Sequence, residues 1–272
     1  MTTQTVQIFH LEVDAETLEG DYRFLVNGRD VKYISVQGNG ILSGDDMCFA
    51  PILLPSLPSF PLGDWNVGHI AMNDHGAAAF AWTRREDLPS ITDPWHPRQV
   101  DILDLNLLKS EKLRSNVWKC HLPSFFGNRS VIAKMANFHW EIGYYNNETK
   151  ANLWIRDLDI APEFLGHIIE NGRIIGFLVE CIDEARRAGH DDVDQCRRLL
   201  DKVHQAGIKH GDVNRHNFLV TKKRTWLVDW EHAQQCNETA ILEEGANELE
   251  RYLTDESGKG GTRTMTLEEV AA

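Results

Sequence analysis

The fold of this chain is decided by one stretch, H-G-D-V-N-R-H-N-F-L-V at residues 210–220, together with W-L-V-D-W-E at residues 226–231. Two short apolar runs, 218–220 and 226–228, are separated by five polar residues, and this pattern predicts a β-hairpin. In an antiparallel pair, the residue before the first strand and the residue after the second lie at the same end. The hairpin therefore brings polar side chains from both flanks together.

The polar residues at that end of the hairpin are suited to bind a metal ion. Asn217 precedes the first strand, Asp229 follows the second, and Asp212 lies one loop earlier. Mg²⁺ takes oxygen ligands, usually one or two protein side chains together with substrate phosphates. We predict that Asp229 and Asn217 hold Mg²⁺, and that Asp212 orients an attacking hydroxyl and accepts its proton. The alternative is a polar turn in which the acidic residues occur by chance.

This arrangement resembles the catalytic loop H-R-D-x-x-x-x-N and the D-F-G motif of protein kinases. It is closer to the branch of aminoglycoside phosphotransferases and choline kinases, in which glycine commonly follows the histidine, as Gly211 does here. The resemblance implies a kinase-like fold, with His210 bracing the backbone at the catalytic site. Asn214 stands where serine/threonine kinases commonly carry a lysine against the γ-phosphate. Arg215 is a candidate to supply that charge, and a surface role for it is equally open.

Two residues earlier in the chain complete the kinase-like set. V-I-A-K at residues 131–134 looks like the V-A-I-K strand, whose lysine pairs with the α- and β-phosphates. Glu148 opens a segment with apolar residues at helical spacing, and it resembles the glutamate that holds this lysine in place. Alone, a lysine at a strand end is usually a surface residue, and a glutamate early in a helix usually interacts with the helix dipole. The order of Lys134 and Glu148 before the loop favours the kinase roles.

The nucleotide-binding part departs from the protein-kinase pattern. Residues 109–115 are expected to form the turn between the first two strands of the sheet that carries Lys134, and they contain no glycine. Protein kinases instead cover the phosphates with a glycine-rich loop. Ser110, Arg114 and Ser115 are candidates to cover the nucleotide in its place, and a solvated turn is the alternative.

A hinge is expected after the apolar run 174–180. The backbone of Glu180 and Ile182 would there meet an adenine ring, so ATP and Mg²⁺ are the predicted cofactors. After the hinge, Asp192 precedes an apolar stripe at helical spacing, and Gly207 follows it. These signals predict a helix packed under the catalytic loop.

The whole chain is predicted to be an α+β protein with a two-lobed, protein-kinase-like fold. Residues 1–98 form a β-rich extension packed on the first lobe, and residues 99–182 form that antiparallel β lobe with the hinge. Residues 183–272 form a short, mainly helical lobe with the catalytic loop and a flexible tail. Further strands and one late helix are expected at 100–108, 116–121, 130–138 and 240–253.

The extension carries patterns of its own. Asn27-Gly28 between two apolar runs predicts a hairpin, whereas four prolines within residues 51–61 predict an extended strap. Trp65 and Trp95 are expected to anchor the extension on the first lobe, since aromatic side chains mainly contribute burial. The segments around them, L-G-D-W-N-V-G-H and D-P-W-H-P, resemble a group of fungal kinase-like proteins.

Composition limits the partners. The net charge of −13 argues against a broad nucleic-acid footprint, which would require a basic surface. Five scattered cysteines without a C-x-x-C pair predict neither a disulfide framework nor a zinc site. The first residues lack the pattern of a signal peptide, and no apolar run is long enough to cross a membrane, so a cytoplasmic location is expected. The oligomeric state is left open.

The function predicted from these features is an ATP- and Mg²⁺-dependent phosphotransferase for a small-molecule acceptor, in fungal secondary metabolism. Two alternatives stay open. A pseudokinase binding module would explain the glycine-free turn and Trp230 in place of the D-F-G phenylalanine. A kinase fold redirected to adenylylation, or to cyclodipeptide-synthase-like ligation with aminoacyl-tRNA, would use the same acidic residues, although the negative charge argues against tRNA.

Overall fold

The computed structural model of the protein describes residues 4–38, 41–42 and 44–255. These residues form a mixed α/β fold with four β-sheets and helices that are mostly short. The tail predicted to follow the last helix lies outside the described residues.

The N-terminal part of the chain is a five-stranded sheet. Its strands are β1 (Val6–Val13), β2 (Gly20–Val26), β3 (Asp30–Val36), β4 (Val67–Met72) and β5 (Ala78–Arg84). They are ordered as in the chain, and within this sheet only β3 and β4 run parallel. Asn27 and Gly28 both have positive φ and close the β2–β3 hairpin, so this prediction is confirmed.

Two short helices, α1 (Gly44–Cys48) and α2 (Ala50–Ser56), lie between β3 and β4. The prediction of an extended strap is wrong here, because Pro51 and Pro55 both lie inside α2. Pro51 occupies the first turn, where a missing N–H group costs no helical hydrogen bond. Leu53 is fully buried in the apolar core of the first sheet, and this burial stabilises the helix in spite of Pro55.

The two tryptophans of the extension have different roles. Trp65 is buried within the core of the first sheet itself, with its ring 5.6 Å from that of Phe80. Its predicted role as a docking anchor is therefore wrong. Trp95 does reach the rest of the chain, since its ring lies 4.6 Å from Phe164 and its indole N–H donates to the Thr149 carbonyl at 3.0 Å.

A six-stranded sheet forms the middle of the chain. Its strands are β6 (Gln99–Asp101), β7 (Glu111–Arg114), β8 (Val117–His121), β9 (Ser130–Met135), β10 (Phe164–Glu170) and β11 (Arg173–Glu180). Their order is β6-β10-β11-β9-β8-β7, and within this sheet only β6 and β10 run parallel. Two helices, α3 (Pro123–Phe126) and α4 (Ile142–Ile155), interrupt the strands along the chain. The strands predicted at 116–121, 130–138 and 174–180 are confirmed.

The strand predicted at 100–108 is confirmed only for residues 100 and 101, which belong to β6, and it is wrong from Ile102 onward. The Asp101 carboxylate accepts a hydrogen bond from the Leu103 N–H at 2.9 Å, and this cap begins a 3-10 helix at Ile102–Leu105. A second 3-10 helix, Leu107–Lys109, follows. An apolar run was mistaken for a strand because short helical turns also bury leucine and isoleucine.

The strand that pairs with β8 is instead β7, at the edge of the sheet. Its side chains Glu111, Lys112 and Leu113 are exposed, so no apolar pattern marks it as a strand. As a consequence, the hairpin turn consists of Ser115 and Asn116 rather than of residues 109–115.

The remaining residues form two small sheets and three helices. The elements are β12 (Arg186–Arg187), α5 (Val193–Gln205), β13 (Ile208–Lys209), β14 (Phe218–Val220), β15 (Thr225–Leu227), β16 (Gln234–Gln235), α6 (Thr239–Asn247) and α7 (Leu249–Thr254). The predicted hairpin is confirmed, with Phe218 opposite Leu227. The predicted α5 is also confirmed between Asp192 and Gly207, whose φ of +68° ends the helix. The single helix predicted at 240–253 is divided into two at Glu248.

The first sheet joins the central sheet through buried charges. Arg23 of β2 forms an ion pair with Glu170 of β10, and both side chains are about 1% exposed. Tyr33 of β3 donates its hydroxyl hydrogen to Glu170 Oε1 at 2.6 Å, and Arg173 of β11 donates to the same oxygen at 2.7 Å. We call these four residues the junction cluster.

Candidate active site

A cleft of about 770 Å³ lies between the central sheet and the β14–β15 hairpin. The strands β7, β8, β9 and β11 line one side, and residues of β12 and of the hairpin line the other. The cleft brings together seven of the candidate site residues predicted from sequence. They are Arg114, Lys134, Glu148, Glu180, Ile182, Asn217 and Asp229.

Lys134 is the central cation of the cleft. Its Nζ lies 2.6 Å from Glu148 Oε1 and 2.8 Å from Asp229 Oδ1. Glu148 lies in the middle of α4, not at its start as predicted, because the helix already begins at Ile142. The mid-helix position points the carboxylate at the strand that carries Lys134, and the Trp230 N–H also donates to Glu148 Oε1, at 3.2 Å.

The charges of this group stabilise one another. Burial alone would lower the pKa of Lys134, but the carboxylates of Glu148 and Asp229 outweigh it and hold that pKa above its ordinary value. Burial would raise the pKa of Asp229, but the opposing effect of Lys134 is included in a net shift that leaves this pKa below its ordinary value. For Glu148, burial is the stronger effect and its pKa is raised, with Asp229 adding to the increase. Lys134 is therefore protonated and Asp229 is ionised at neutral pH.

The backbone of Asp229 is strained. Its φ is +72°, in the left-handed region that residues other than glycine rarely adopt. Such conformations cost roughly 1–3 kcal/mol and persist where the surrounding structure requires them, often at functional sites. The strain aims the carboxylate into the cleft beside Lys134.

Asn217 and Asp212 meet beside Asp229. Asn217 is almost fully buried, and its Nδ2 donates to the Asp212 carbonyl at 2.9 Å and to Asp212 Oδ2 at 3.0 Å. The Val228 N–H donates to the Asn217 carbonyl at 2.9 Å, which places Asn217 next to the residue before Asp229. Asn214 Nδ2 also donates to Asp212 Oδ2, at 3.0 Å. Asp212 itself lies beside the cleft rather than among its lining residues.

One atom of this group suits a metal ion. Asn217 Oδ1 is buried and has no hydrogen-bond partner within the described chain. An unpaired buried acceptor costs about 1–3 kcal/mol unless a ligand satisfies it. Asn217 Oδ1 and the Asp229 carboxylate both line the cleft and are hard oxygen donors, so this pair fits Mg²⁺.

His210 and Gly211 hold the loop in place. His210 is fully buried, and burial lowers its pKa to about 4, so the imidazole is neutral at neutral pH. Its Nδ1 accepts from the Asp212 N–H at 3.3 Å, so Nε2 carries the proton and donates to the Val228 carbonyl at 3.1 Å. Gly211 has φ +86°, and a Cβ there would lie 2.2 Å from the His232 carbonyl oxygen. Glycine is required because the two backbone segments approach so closely.

Besides Asp212, His210 and Ser110, two more predicted residues do not line the cleft. Ser115 sits at the hairpin turn, where its carbonyl accepts from Asn137 Nδ2 at 3.3 Å. Arg215 lies in the catalytic loop, but its side chain is not among the described residues that line the cleft, and its Nε is buried without a partner. Side-chain direction decides both cases, and sequence order does not reveal it.

Of two further arginines in the cleft, the sequence patterns predicted one and missed the other. Arg114, proposed only as one of several cover residues, has Nη1 3.6 Å from Asp229 Oδ2. Arg187 was not predicted at all, and its Nη1 donates to the His216 carbonyl at 2.5 Å. No motif contains Arg187. Its position depends on the two-residue strand β12, where it pairs with Leu219 of β14.

Within the described residues, no three histidine, cysteine, aspartate or glutamate side chains are grouped so that they could hold a metal ion. In the part of the chain that the structure describes, no helix is both long enough and apolar enough to cross a membrane.

The C-terminal part of the chain is similar to a known protein family. The model of the lipopolysaccharide kinase (Kdo/WaaP) family matches residues 178–271, about a third of the chain. The match spans the catalytic loop and the hairpin, and it supports a kinase-like phosphotransferase. The prediction of a kinase-like enzyme is thereby confirmed, and the mixed α/β fold agrees with such a family. No curated protein matches the chain.

Proposed function

We propose that the protein is an ATP- and Mg²⁺-dependent phosphotransferase that acts on a small-molecule acceptor. The observation that carries this proposal is the position of Lys134 Nζ, within 2.8 Å of both Glu148 and Asp229 inside one cleft. A buried lysine held between two carboxylates is a preorganised cation for phosphate oxygens. The proposal includes a two-lobed arrangement, in which the central sheet covers the nucleotide and the later helices carry the catalytic loop.

Six residues of the cleft have a part in this proposal. Lys134 binds phosphate oxygens, and Glu148 keeps it in position. Asn217 and Asp229 would hold Mg²⁺, which neutralises phosphate charge when bound. The hinge residues Glu180 and Ile182, which line the cleft, would contact the base.

Asp212 is proposed to handle the acceptor. The amide groups of Asn214 and Asn217 fix its carboxylate, each at 3.0 Å. An acceptor hydroxyl placed against the free side of this carboxylate would transfer its proton to an Asp212 oxygen as it attacks. His210 links the Asp212 backbone to Val228 and so keeps the proton acceptor in register with Asp229.

A small acceptor suits the dimensions of the site. A volume of about 770 Å³ lies within the range of small-molecule pockets, roughly 300–1,000 Å³. The likeness to aminoglycoside and choline kinases, a role in fungal secondary metabolism and a cytoplasmic location are predictions from sequence that belong to the same proposal.

The decisive experiment combines binding and turnover. We expect Mg·ATP to raise the melting temperature of the wild-type protein, because a ligand at a hundred times its Kd stabilises by about 2.7 kcal/mol. ADP release would then be followed against a panel of sugars, alcohols and amino alcohols. Asp212→Asn should lower turnover by about a hundredfold or more while the ATP-induced shift is retained. Equal turnover of the two proteins would defeat the role of Asp212.

The same assay separates the alternatives. A pseudokinase would show the thermal shift, or none, without ADP release for any acceptor. An adenylylating enzyme would release pyrophosphate instead of ADP. A ligase that uses aminoacyl-tRNA would lose its product after RNase treatment of a cell extract, as measured by mass spectrometry.

A further inference from the structure

We propose that Arg114 and Arg187 grip the triphosphate of the nucleotide from opposite sides of the cleft, in place of the backbone amides of a glycine-rich loop. This inference rests on the proposed function, since it places a nucleotide in the cleft. It concerns which groups of this chain bind the phosphates besides Lys134.

The hairpin turn between β7 and β8 is not available for that task. The Asn116 carbonyl accepts from the Met135 N–H at 3.2 Å, and Asn116 Nδ2 donates to Glu141 Oε1 at 2.5 Å. Asn137 Nδ2 donates to Asn116 Oδ1 at 2.7 Å and to the Ser115 carbonyl at 3.3 Å. The turn is therefore tied to the segment after β9, and neither of its residues lines the cleft.

Arg114 projects into the cleft from the strand just before this turn. It is the last residue of β7, and its side chain is about a third exposed. Its one ion pair in the described chain is the 3.6 Å contact with Asp229 Oδ2, a carboxylate that already accepts a closer bond from Lys134. At that distance the guanidinium makes no hydrogen bond to Asp229, so its N–H groups can turn to a ligand.

Arg187 enters from the opposite side, on β12. Its Nη1 donates to the His216 carbonyl, and no carboxylate of the described residues lies within 4 Å of its guanidinium. Burial lowers the pKa of Arg187, and the positive charge of Arg114 lowers it further. Arg114 on β7 and Arg187 on β12 both line the cleft that Asp229 also lines.

The other cations of the cleft have partners of their own. Lys119 pairs with Asp183 at 3.0 Å, and Arg186 pairs with Asp192 at 2.5 Å. Lys134 pairs with its two carboxylates, as described above. Arg114, by contrast, only shares Asp229 with Lys134, at the longer distance of 3.6 Å, and Arg187 has no ion pair with a carboxylate among the described residues.

An anion between these two groups would relieve their mutual repulsion. The planar fork of arginine matches the oxygens of a phosphate group, and such charge-assisted hydrogen bonds are stronger than neutral ones. The pair lies beside Asp229, where Mg²⁺ is proposed to bind, and a nucleotide triphosphate is the anion that must lie there in a phosphotransferase. A separate anionic acceptor has the same chemistry and is the alternative that the experiment distinguishes.

The test uses the full-length protein in isothermal titration calorimetry with Mg·ATP, adenosine and tripolyphosphate as probes. We expect Arg114→Gln and Arg187→Gln each to weaken Mg·ATP binding by roughly ten- to a hundredfold, the loss of one hydrogen bond to a charged group. Adenosine binding should not change, which also reports that the cleft is folded. Tripolyphosphate should compete with Mg·ATP in the wild type. Arg129→Gln, an exposed arginine outside the cleft, is the matched control and should bind all three probes like the wild type.

Several results would overturn the inference. Unchanged Mg·ATP binding in both variants would remove the arginine pair from the nucleotide site. Loss of tripolyphosphate binding with unchanged ATP affinity would assign the pair to an anionic acceptor instead. A parallel loss of adenosine binding would mean that the arginines shape the cleft as a whole. A wild-type protein that binds neither ATP nor adenosine would overturn the proposed function together with this inference, whereas the first three results leave that function standing.

Discussion

Two groups of charged side chains lie against the central sheet, one buried and one partly buried at the cleft, and they differ in how completely their acceptor oxygens are paired. In the junction cluster, both oxygens of Glu170 have donors, from Arg23 on one side and from Tyr33 and Arg173 on the other. Burial would raise the pKa of Glu170, but the two arginines outweigh it and the net pKa is lowered. This cluster offers no free acceptor to a ligand, because both oxygens of its carboxylate are satisfied, although Arg23 Nε is buried without a hydrogen-bond partner among the described residues.

The cleft cluster of Lys134, Glu148, Asp229 and Asn217 is left incomplete. Asn217 Oδ1 has no partner in the described chain, and Asp229 holds a left-handed backbone conformation. Asp229 Oδ2 has only the 3.6 Å contact with Arg114 as its ion pair. The comparison teaches that buried charge alone does not identify a site. What distinguishes the cleft cluster is an unpaired acceptor on a residue that lines a cleft, together with local backbone strain.

The largest effect is expected from a substitution that breaks the junction cluster. Glu170→Ala leaves Arg23 buried without its counter-ion, and removal of one partner of a buried ion pair typically costs about 3–5 kcal/mol. We expect the free energy of unfolding, measured by urea denaturation, to fall by that amount. Glu163→Ala, at an exposed position, is the control. A change below about 1 kcal/mol would show that the junction contributes little to stability.

The second prediction concerns the cleft cluster, where we expect a loss of activity rather than a loss of stability. Asp229→Asn keeps the size of the side chain, and asparagine tolerates the left-handed conformation. Turnover should fall at least a hundredfold, about 2.7 kcal/mol of barrier, while the free energy of unfolding changes by less than about 1 kcal/mol. The measurement pairs ADP release with urea denaturation. A variant that is strongly destabilised but fully active would reverse the proposed distinction between the clusters.

The third prediction concerns pH and two histidines. Burial lowers the pKa of His10, beside the junction cluster, and that of His210, beside the cleft, to about 4 in each case. The ordinary value near 6.5 applies to the unfolded chain, so between pH 6.5 and 4 the unfolded state binds protons that the folded state excludes. Stability is therefore lost as the pH falls through this window, by at most roughly 1.4 kcal/mol per pH unit for each histidine.

Two variants distinguish the histidines. Urea denaturation between pH 4.5 and 7 should give a smaller pH slope for His10→Gln and for His210→Gln than for the wild type. Only His210→Gln should also lower turnover, because His210 joins the Asp212 backbone to Val228. An unchanged slope in both variants would mean that neither histidine is neutral and buried in solution.

The smallest effect is expected at the exposed edge of the cleft. Lys119 and Asp183 lie 3.0 Å apart, but the Asp183 side chain is 69% exposed. Exposed ion pairs contribute about 0–1 kcal/mol, so Asp183→Asn should change the free energy of unfolding by less than about 0.5 kcal/mol. Urea denaturation at low and at high salt provides the measurement. A larger, salt-independent loss would place this pair with the buried clusters.

The sequence patterns predicted the local parts of the site well. The hairpin and its flanking residues Asn217 and Asp229 follow from apolar runs only three residues long. Helix α5 follows from its helical spacing and its end signals, and β9 with Lys134 follows from an apolar strand pattern. In each case the information is contained within about fifteen neighbouring residues, because backbone conformation and side-chain periodicity are local properties.

Where the predictions failed, burial by distant parts of the chain competed with local signals. Strand β7 is charged, and it is a strand only because β8 lies beside it. Helix α2 forms despite its prolines because Leu53 is buried in the core of the first sheet. Trp65 packs inside that same core, although its sequence context looked like a surface anchor. No local pattern encodes which partner covers a residue.

The sequence by itself determined which residues could bind a metal ion, which could bind phosphate, and in what order they occur along the chain. Only the tertiary structure decided which of them meet. It joined Lys134 to Asp229 across 95 positions, left Asn217 Oδ1 without a partner among the described residues, and brought Arg114 and Arg187 into the same cleft. The physical reason is that Coulomb energy and hydrogen bonding depend on distance and burial in space, and the folding of the whole chain sets both.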